Sequence, residues 1–361
     1  MAKKMYVGVN GVARKIASAY VGVNNVARKI TKGYVGVGGI ARQFWPGGVL
    51  TYYGTATPLS EATYSLAATT VGDYSLFGGG RGTSAVSAYN ASLVRTLPLE
   101  LNSGGESVAA TTIGNYALFG MQESRGEDLT AYDISLTKTT PMELSERREN
   151  GAATTVGNYA LFGGGMAGSS TRKAVVDAYD RELTRTTPTA LSPARYALAA
   201  TTVGNYALFG GGQAGTASPR VDVYDANLTR STATSLSEAR QNLAATTVGN
   251  YALFGGGQSS SAVVDAYATS LTRSTPTALS VARYNLAATT IGNYALFGGG
   301  RVVSYVDTVD AYDSSLIKVS ATPLSEARYE PAATTIGNYA LFGGGRGSGG
   351  SKDTVDVYTI S

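Results

Sequence analysis

The chain contains neither cysteine nor histidine. Without cysteine it has no disulfide, no thiolate nucleophile and no zinc-thiolate site. Without histidine it also lacks the most common general base and metal ligand of proteins. These two absences exclude most hydrolase mechanisms, and we expect no metal, no cofactor and no enzymatic activity.

Charged residues are scarce and unevenly distributed. They make up 15% of the 361 residues. Of the 29 Lys and Arg residues, eight precede Ser60 with no acidic residue among them, which leaves 21 basic against 25 acidic residues in the remainder. A basic amino-terminal segment therefore precedes a mildly acidic body.

Long apolar runs are also missing. Gly, Asn, Arg and Lys interrupt the amino-terminal segment every few positions. We therefore expect neither a signal peptide nor a membrane-inserted segment. What the chain has instead is 46 Gly and 24 Tyr against 8 Phe, a composition typical of many short strands joined by tight turns.

A long repeat fills most of the chain. The segment AATT begins at seven positions spaced by 42 to 47 residues: Ala67, Ala109, Ala152, Ala199, Ala244, Ala287 and Ala332. Within each unit, LAATTVG and YALFG flank a Gly-Asn pair, which predicts a hairpin of strands a and b. VDVYD and TRSTATSL supply strands c and d. Four antiparallel strands in about 45 residues are typical of a propeller blade.

These units resemble those of kelch propellers. The glycine run after YALF, an Arg upstream of strand a and a Tyr on strand c follow the order of that family, at Arg195, Arg240, Arg283 and Arg328 and at Tyr179, Tyr224, Tyr267 and Tyr312. The Trp that usually follows the Tyr is missing. The resemblance implies an all-β fold in which residues 47–361 form a seven-bladed kelch-like β-propeller.

The two ends of the repeat region complement each other. The chain finishes on DTVDVYTIS, a strand c without a strand d, while residues 50–64 read as a strand d without a strand c. We expect these fragments to complete one blade. Such pairing closes the ring and removes open sheet edges.

Two variable patches stand out against the constant a-to-b turns, and strand direction predicts that both lie on one face of the propeller. Three residues before AATT stand Tyr64, Glu106, Glu149, Tyr196, Gln241, Tyr284 and Tyr329. The next position holds Ser65, Ser107, Asn150, Ala197, Asn242, Asn285 and Glu330. The loops between strands b and c begin at Arg81, Met166, Gln213, Gln258, Arg301 and Arg346 among others. Variable loops on a rigid scaffold commonly form binding sites, so we expect a ligand-binding face here.

Other candidate chemistry is weaker. The GGG runs follow strands without opening a helix, which favours a structural role over phosphate binding. Propeller sialidases need an arginine cluster with aspartate boxes, and kelch-type galactose oxidase needs a Cys-linked Tyr and His ligands for copper. An enzyme working with carboxylates alone would have to use an unrepeated cluster such as Glu123, Glu146 and Glu149.

Residues 1–46 carry a different repeat of 14 residues. Each copy, as in YVGVNGVARKI, predicts a β-hairpin, with turns at Asn10-Gly11, Asn24-Asn25 and Gly38-Gly39. Three such hairpins make too small a core to stand alone. They resemble YVGVNGVARK modules of structural proteins in phages and prophages of Gram-positive bacteria. The resemblance implies attachment to other virion proteins through Arg14, Lys15, Arg28, Lys29, Arg42 and Trp45.

These observations predict a non-enzymatic phage virion protein, released by lysis. It would serve as a tail-fibre or baseplate receptor-binding protein or as a capsid decoration, with the propeller binding a host surface glycan or protein. A homotrimer would supply the hairpins with partners. Regular spacing of ARK on hairpins favours a protein interface over a nucleic-acid arm. The alternative is a bacterial kelch-like scaffold for protein–protein interaction.

Overall fold

The computed structural model describes residues 48–123, 126–258 and 261–360, together with the backbone of six strands between residues 6 and 43. Contacts divide the chain into two units, Met1–Leu50 with Ile360–Ser361 and Thr51–Thr359. The described residues form strands and turns and no helix. None of them therefore belongs to a helix that could cross a membrane. The predicted domain boundary between residues 46 and 47 lies outside the described residues.

The six amino-terminal strands pair into three antiparallel hairpins, as the 14-residue repeat predicts. They are β1 (Tyr6–Val9) with β2 (Val12–Lys15), β3 (Tyr20–Val23) with β4 (Val26–Lys29), and β5 (Tyr34–Val37) with β6 (Ile40–Gln43). Arg14 and Lys15 lie on β2, Arg28 and Lys29 on β4, and Arg42 on β6. The three predicted turns and Trp45 lie outside the described residues.

The second unit contains seven four-stranded antiparallel sheets within the described residues. We number these blades in chain order and describe the first four here. After β7 (Leu50–Thr55), blade 1 contains β8 (Ala67–Val71), β9 (Tyr74–Gly78), β10 (Val86–Asn90) and β11 (Arg95–Thr96). Blade 2 contains β12 (Ala109–Ile113), β13 (Tyr116–Gly120), β14 (Leu129–Asp133) and β15 (Lys138–Thr139). Blade 3 contains β16 (Ala152–Val156), β17 (Tyr159–Gly163), β20 (Val176–Tyr179) and β21 (Arg185–Thr186), with β18 (Met166–Ala167) and β19 (Thr171–Arg172) as a small separate hairpin. Blade 4 contains β22 (Ala199–Val203), β23 (Tyr206–Gly210), β24 (Val221–Asp225) and β25 (Arg230–Thr232).

The last three blades follow the same order. Blade 5 contains β26 (Ala244–Val248), β27 (Tyr251–Gly255), β28 (Val264–Ala268) and β29 (Arg273–Ser274). Blade 6 contains β30 (Ala287–Ile291), β31 (Tyr294–Gly298), β32 (Val309–Asp313) and β33 (Lys318–Ser320). Blade 7 contains β35 (Ala332–Ile336), β36 (Tyr339–Gly343) and β39 (Val355–Ile360), while β34 (Arg328–Tyr329), β37 (Arg346–Gly347) and β38 (Gly350–Ser351) form a small sheet beside it.

The two ends of the propeller complete blade 7. Its strand order is β35, β36, β39 and β7, so the carboxyl-terminal strand lies between β36 and the strand that begins at Leu50. Tyr52 on β7 donates a hydrogen bond to the Asp356 carboxylate on β39 over 2.7 Å. The predicted all-β kelch-like propeller, with its closure by strands from both ends, is confirmed.

The core lies between neighbouring blades. Strand a alternates buried and half-buried residues, whereas strand b is buried from its second residue onward. Phe209 of blade 4 packs toward blade 3, where a Cβ on Gly163 would lie only 2.7 Å from its ring. A glycine is therefore required at the end of strand b because the next blade approaches the backbone so closely.

Candidate functional site

The two variable positions of each repeat lie side by side. They are 17 residues apart in every blade, and backbone hydrogen bonds or antiparallel bridges join them. The pairs are Tyr64 with Arg81, Glu106 with Glu123, Glu149 with Met166, Tyr196 with Gln213, Gln241 with Gln258, Tyr284 with Arg301, and Tyr329 with Arg346. We call these the seven variable pairs. The structure thus brings together side chains that the sequence identifies only as two separate patches.

The residue after the first member of each pair adopts a left-handed backbone conformation. These residues are Ser65, Ser107, Asn150, Ala197, Asn242, Asn285 and Glu330, with φ between 52° and 64°. Non-glycine residues adopt this region rarely, with Asn enriched. Their backbones also bond from blade to blade: Asn242 donates to Ala197 over 2.9 Å, and Asn285 donates to Asn242 over 2.9 Å. The result is an inner ring of backbone next to the seven variable pairs.

This inner ring encloses a central cavity of about 470 Å³, whose lining includes Glu106 and Tyr196 from the variable pairs. Glu330 lies in its wall and accepts hydrogen bonds from Ser65 Oγ and Asn285 Nδ2. Burial raises the pKa of the Glu330 carboxyl above its ordinary value, and the nearby Glu106 carboxylate raises it further. The cavity therefore offers amide, hydroxyl and carboxyl groups that can hydrogen-bond a polar ligand.

Three blades that carry a Tyr and an Arg in the variable pair are neighbours, because closure places blade 1 next to blade 7. We call Tyr64, Arg81, Tyr284, Arg301, Tyr329 and Arg346 the Tyr–Arg arc. The guanidinium carbon of Arg301 lies 5.6 Å from the ring centre of Tyr329, and that of Arg346 lies 5.4 Å from the ring centre of Tyr64. These are cation–π distances. An arginine of one blade therefore covers the tyrosine of the next.

Arg81 and Tyr305 make further contacts with the tyrosines of the arc. Arg81 donates to the Tyr64 hydroxyl and forms a 3.1 Å ion pair with Glu106 of blade 2. Tyr305, in the b-to-c loop of blade 6, stacks on Tyr329 with ring centres 5.6 Å apart and planes 5° from parallel. Tyr64 and Tyr329 are consequently 5% and 8% exposed, whereas the Arg81 side chain is 60% exposed. The arginines, more than these two tyrosines, face solvent.

The remaining pairs differ in chemistry. Tyr196 donates to the Gln213 side chain, and the Gln241 and Gln258 amides bond to each other, so blades 4 and 5 present amides. Blades 2 and 3 present the carboxylates of Glu106, Glu123 and Glu149. Burial, and then the neighbouring Glu123, raises the pKa of Glu149.

The three carboxylates considered for catalysis have different surroundings. Glu123 and Glu149 line one cavity of about 510 Å³ with Arg147 and Met166. Glu146 instead forms an ion pair with Lys173 at 2.5 Å. Among the residues that the structure describes, no group of three or more acidic side chains could hold a metal ion.

Sequence reasoning missed the role of the two threonines in AATT. Thr112 of blade 2 bonds to the Thr69 hydroxyl of blade 1 at 2.7 Å and donates to the Thr70 carbonyl oxygen. Because a hydroxyl carries one proton, Thr69 must be the donor in the first bond. The same arrangement joins every blade to its neighbour, through the pairs Thr69–Thr112, Thr111–Thr155, Thr154–Thr202, Thr201–Thr247, Thr246–Thr290, Thr289–Thr335 and Thr334–Thr70.

These threonines line a third cavity, of about 650 Å³, along the strands a. The sequence contains a signal for this role, because two threonines at the same place in all seven repeats indicate a contact that every blade makes. Their role here is structural, since the hydroxyl protons are used between blades.

Buried ion pairs hold the variable pairs in place. Five blades contain an Arg just before the first variable position and an Asp on strand c, each fully buried. They form Arg148–Asp177, Arg195–Asp222, Arg240–Asp265, Arg283–Asp310 and Arg328–Asp356, at 2.5 to 2.8 Å. Blades 1 and 2 have neutral residues at both places, Thr63 with Ser87 and Gly105 with Thr130. Because an unpaired buried charge is costly, the two positions change together.

Comparisons with known proteins agree on the fold. No family model and no curated protein matches this chain. Among solved structures, YjhT has a TM-score of 0.60 at 12% identity, covering 73% of this chain and 97% of that chain. A novel fungal alcohol oxidase of the AA5 family, in complex with copper, has a TM-score of 0.66 at 14% identity, covering 85% and 76%.

At these identities the likeness establishes a kelch-like β-propeller fold and nothing about activity. Chains in solved structures that match number 849, so the fold alone selects no function. The copper belongs to the oxidase, and the present chain has no histidine or cysteine with which to bind that metal.

Proposed function

We propose that this chain is a non-enzymatic binding protein of a phage virion, whose variable pairs recognise a glycan or protein on the host surface. The observation that supports binding is the ring of variable pairs. The frame around it repeats from blade to blade, in the threonine bonds, the glycines and the buried tyrosines, while the paired side chains change from Tyr and Arg to Glu and to Gln. Such variation on a rigid scaffold is how recognition surfaces are commonly formed.

The proposed attachment role rests on the amino-terminal hairpins. Each has only two strands of four residues, which is too little to be stable in water without a partner surface. Basic residues on β2, β4 and β6 would pair with acidic residues on other virion proteins. In a homotrimer, the hairpins of the three subunits would pack against one another. In this proposal the protein is located on the virion and leaves the cell by lysis.

Binding of the labelled full chain to candidate host cells tests the proposal. We expect binding to be lost when Tyr196 and Tyr284 are both changed to Ala, because they belong to the ring of variable pairs. The matched control changes Tyr206 and Tyr294 to Ala. These two tyrosines are half-buried at the start of strand b, the end away from the variable pairs. Equal loss in both variants, or no binding by the unchanged protein, would contradict a receptor-binding role.

A bacterial scaffold for protein–protein interaction is the second candidate, and the outer edge of blade 1 favours it. Val94, Leu97 and Leu99 are 56%, 56% and 71% exposed there. The equivalents of Leu97 in the other complete blades are Thr140, Thr187, Thr232, Thr275 and Ser320. Exposed apolar side chains where the repeat has hydroxyls are consistent with a protein partner. Sedimentation separates the candidates, since a virion protein should sediment with phage particles.

A further inference from the structure

The Tyr–Arg arc concentrates positive charge at one part of the ring of variable pairs. Arg301, Arg346 and Arg81 come from blades 6, 7 and 1, and blade 1 adjoins blade 7 only because the ring closes. Two carboxylates interact with these arginines: Glu106 pairs with Arg81, and Glu330 interacts electrostatically with Arg346 and Arg301. Three guanidinium groups thus stand against two carboxylates, even when both carboxylates are ionised. The arc therefore keeps a net positive charge.

The arginines also keep unused hydrogen-bond donors. A guanidinium group has five N–H donors in a planar fork. The guanidinium carbon of Arg301 lies 5.6 Å from the Tyr329 ring centre, and no side-chain hydrogen bond of Arg301 is found among the residues that the structure describes. Packing against a tyrosine ring restricts the guanidinium group, so less conformational entropy is lost when its fork of donors binds an anion.

We infer that the Tyr–Arg arc binds the acidic group of an anionic saccharide, either a carboxylate or a phosphate. This inference rests on the proposed function and specifies its ligand. Arg301 and Arg346 would donate to the anion, because each is packed against a tyrosine ring that restricts its movement. Tyr305, stacked over Tyr329, offers an aromatic surface at the edge of the same arc.

The charges beside the arc favour a saccharide over a nucleic acid. Glu106, Glu123 and Glu149 occupy the next two blades and would repel a continuous polyanion. The same carboxylates accept hydrogen bonds from sugar hydroxyls, as do the amides of Gln213 and Gln258 on blades 4 and 5. A chain of neutral hydroxyl-rich units that carries an isolated acidic group matches this sequence of side chains around the ring.

Calorimetric titration of the full chain tests the inference with four probes: a hyaluronan octasaccharide, glucose 6-phosphate, maltooctaose and an oligo(dT) of 16 nucleotides. We expect binding of at least one anionic saccharide, no binding of maltooctaose, and affinity that falls as salt rises from 50 to 500 mM. The first two probes distinguish carboxylate from phosphate. Tighter binding of oligo(dT), equal binding of maltooctaose, or no binding of any probe would overturn the inference.

Variants locate the site. The double change Arg301→Gln and Arg346→Gln should weaken binding of the anionic saccharide at least tenfold. The matched control, Arg181→Gln with Arg220→Gln, removes two exposed arginines outside the variable pairs and should change affinity by less than threefold. Arg301→Lys with Arg346→Lys keeps the charge and loses the planar fork, so it should retain part of the affinity. Unfolding temperatures of all three variants identify any loss caused by misfolding, and equal weakening in the control would overturn the assignment.

The outcome is independent of the cell-binding experiment. If the chain binds host cells but no anionic saccharide, the proposed function stands and this ligand class is wrong. If it binds an anionic saccharide through Arg301 and Arg346 but no host cell, the ligand class stands and the host-receptor role is wrong.

Discussion

The hydroxyl oxygens of Thr334 and Thr70 lie 2.9 Å apart, although 264 residues separate them in the sequence. Thr70 also donates to the carbonyl oxygen of Thr335 over 2.7 Å. Blade 7 is thus joined to blade 1 by the same two bonds that join every other pair of neighbours. The interface between the strands a of blades 7 and 1 therefore has the same hydrogen bonds as the interface between any two consecutive blades.

This equivalence makes a prediction about Thr70. Changing it to Val keeps the shape but removes both bonds, and should lower the free energy of unfolding by about 1–3 kcal/mol. Thr202→Val, at an interface between consecutive blades, is the matched control and should have a similar effect. Urea denaturation measures both. If Thr202→Val destabilises the protein and Thr70→Val does not, the closing interface contributes less than the others.

Deletion of residues 355–361 should destabilise the whole propeller. These residues contain β39, which lies between β36 and β7, so their loss exposes two strand edges and leaves β7 without a sheet. Limited proteolysis should cut the truncated chain at many sites, whereas removal of Ser361 alone should leave the pattern unchanged. Resistance equal to that of the intact chain would show that blade 7 does not depend on this strand.

The buried Arg240–Asp265 pair predicts a compensating double substitution. Asp265→Ser alone leaves the Arg240 charge buried without its partner and should destabilise the protein by about 3–5 kcal/mol. Adding Arg240→Thr reproduces the Thr63 and Ser87 combination of blade 1, and should recover part of that loss. The free energies from a double-mutant cycle measure this coupling. Additive effects of the two substitutions would contradict it.

Much of the fold could be predicted from repetition. Seven copies of AATT located strands a, and the alternation around Gly-Asn located strands b. Comparison of the repeats also found both members of six variable pairs. Glu123 was not assigned to the seventh pair, although it stands 17 residues after Glu106, the spacing shared by the other six.

Adjacency of the Tyr–Arg arc could not be read from any single repeat. Tyr64 and Arg346 are far apart in the chain and meet only after closure. Arg346 covers the ring of Tyr64 and helps to bury it, and this contact depends on the side-chain conformations of residues in two blades. Local pattern identifies which positions vary, whereas the ring determines which of them touch.

The strand-c tyrosines predict sensitivity to alkaline pH. Burial raises the pKa of Tyr89, Tyr132 and their five equivalents above the ordinary value of 10. An unfolded chain ionises these groups near pH 10 while the folded chain keeps them neutral, so the folded state binds more protons and stability falls as pH rises above 10. Ultraviolet absorbance and circular dichroism, followed together, should show tyrosinate appearing as the strands unfold.

Tyr52 provides a single-residue version of that experiment. Burial, with its hydrogen bond to Asp356, raises the pKa of Tyr52 to about 12. Tyr52→Phe should therefore lose less stability than the unchanged protein between pH 9 and pH 11. Tyr53, which is 57% exposed, is the control at the adjacent position. Gradual ionisation of the buried tyrosines without unfolding would contradict their protection.

Glu330 predicts a stability difference at the acidic end. Its folded-state pKa is raised by burial, so the unfolded chain releases this proton at a lower pH than the folded chain does. Over that pH interval the folded state binds more protons than the unfolded state. The free energy of unfolding therefore falls as pH rises, compared with that of a variant whose side chain at this position is always neutral. Glu330→Gln keeps the size and the hydrogen-bonding capacity toward Ser65 and Asn285, so it should become more stabilising at pH 8 than at pH 4. Urea denaturation at the two pH values measures this difference.

Glu326→Gln is a control of opposite sign, because Lys352 and Thr354 lower the pKa of Glu326 despite its partial burial. A Glu330→Gln effect that is equal at both pH values would show that the central cavity holds this carboxyl in the same protonation state as water does.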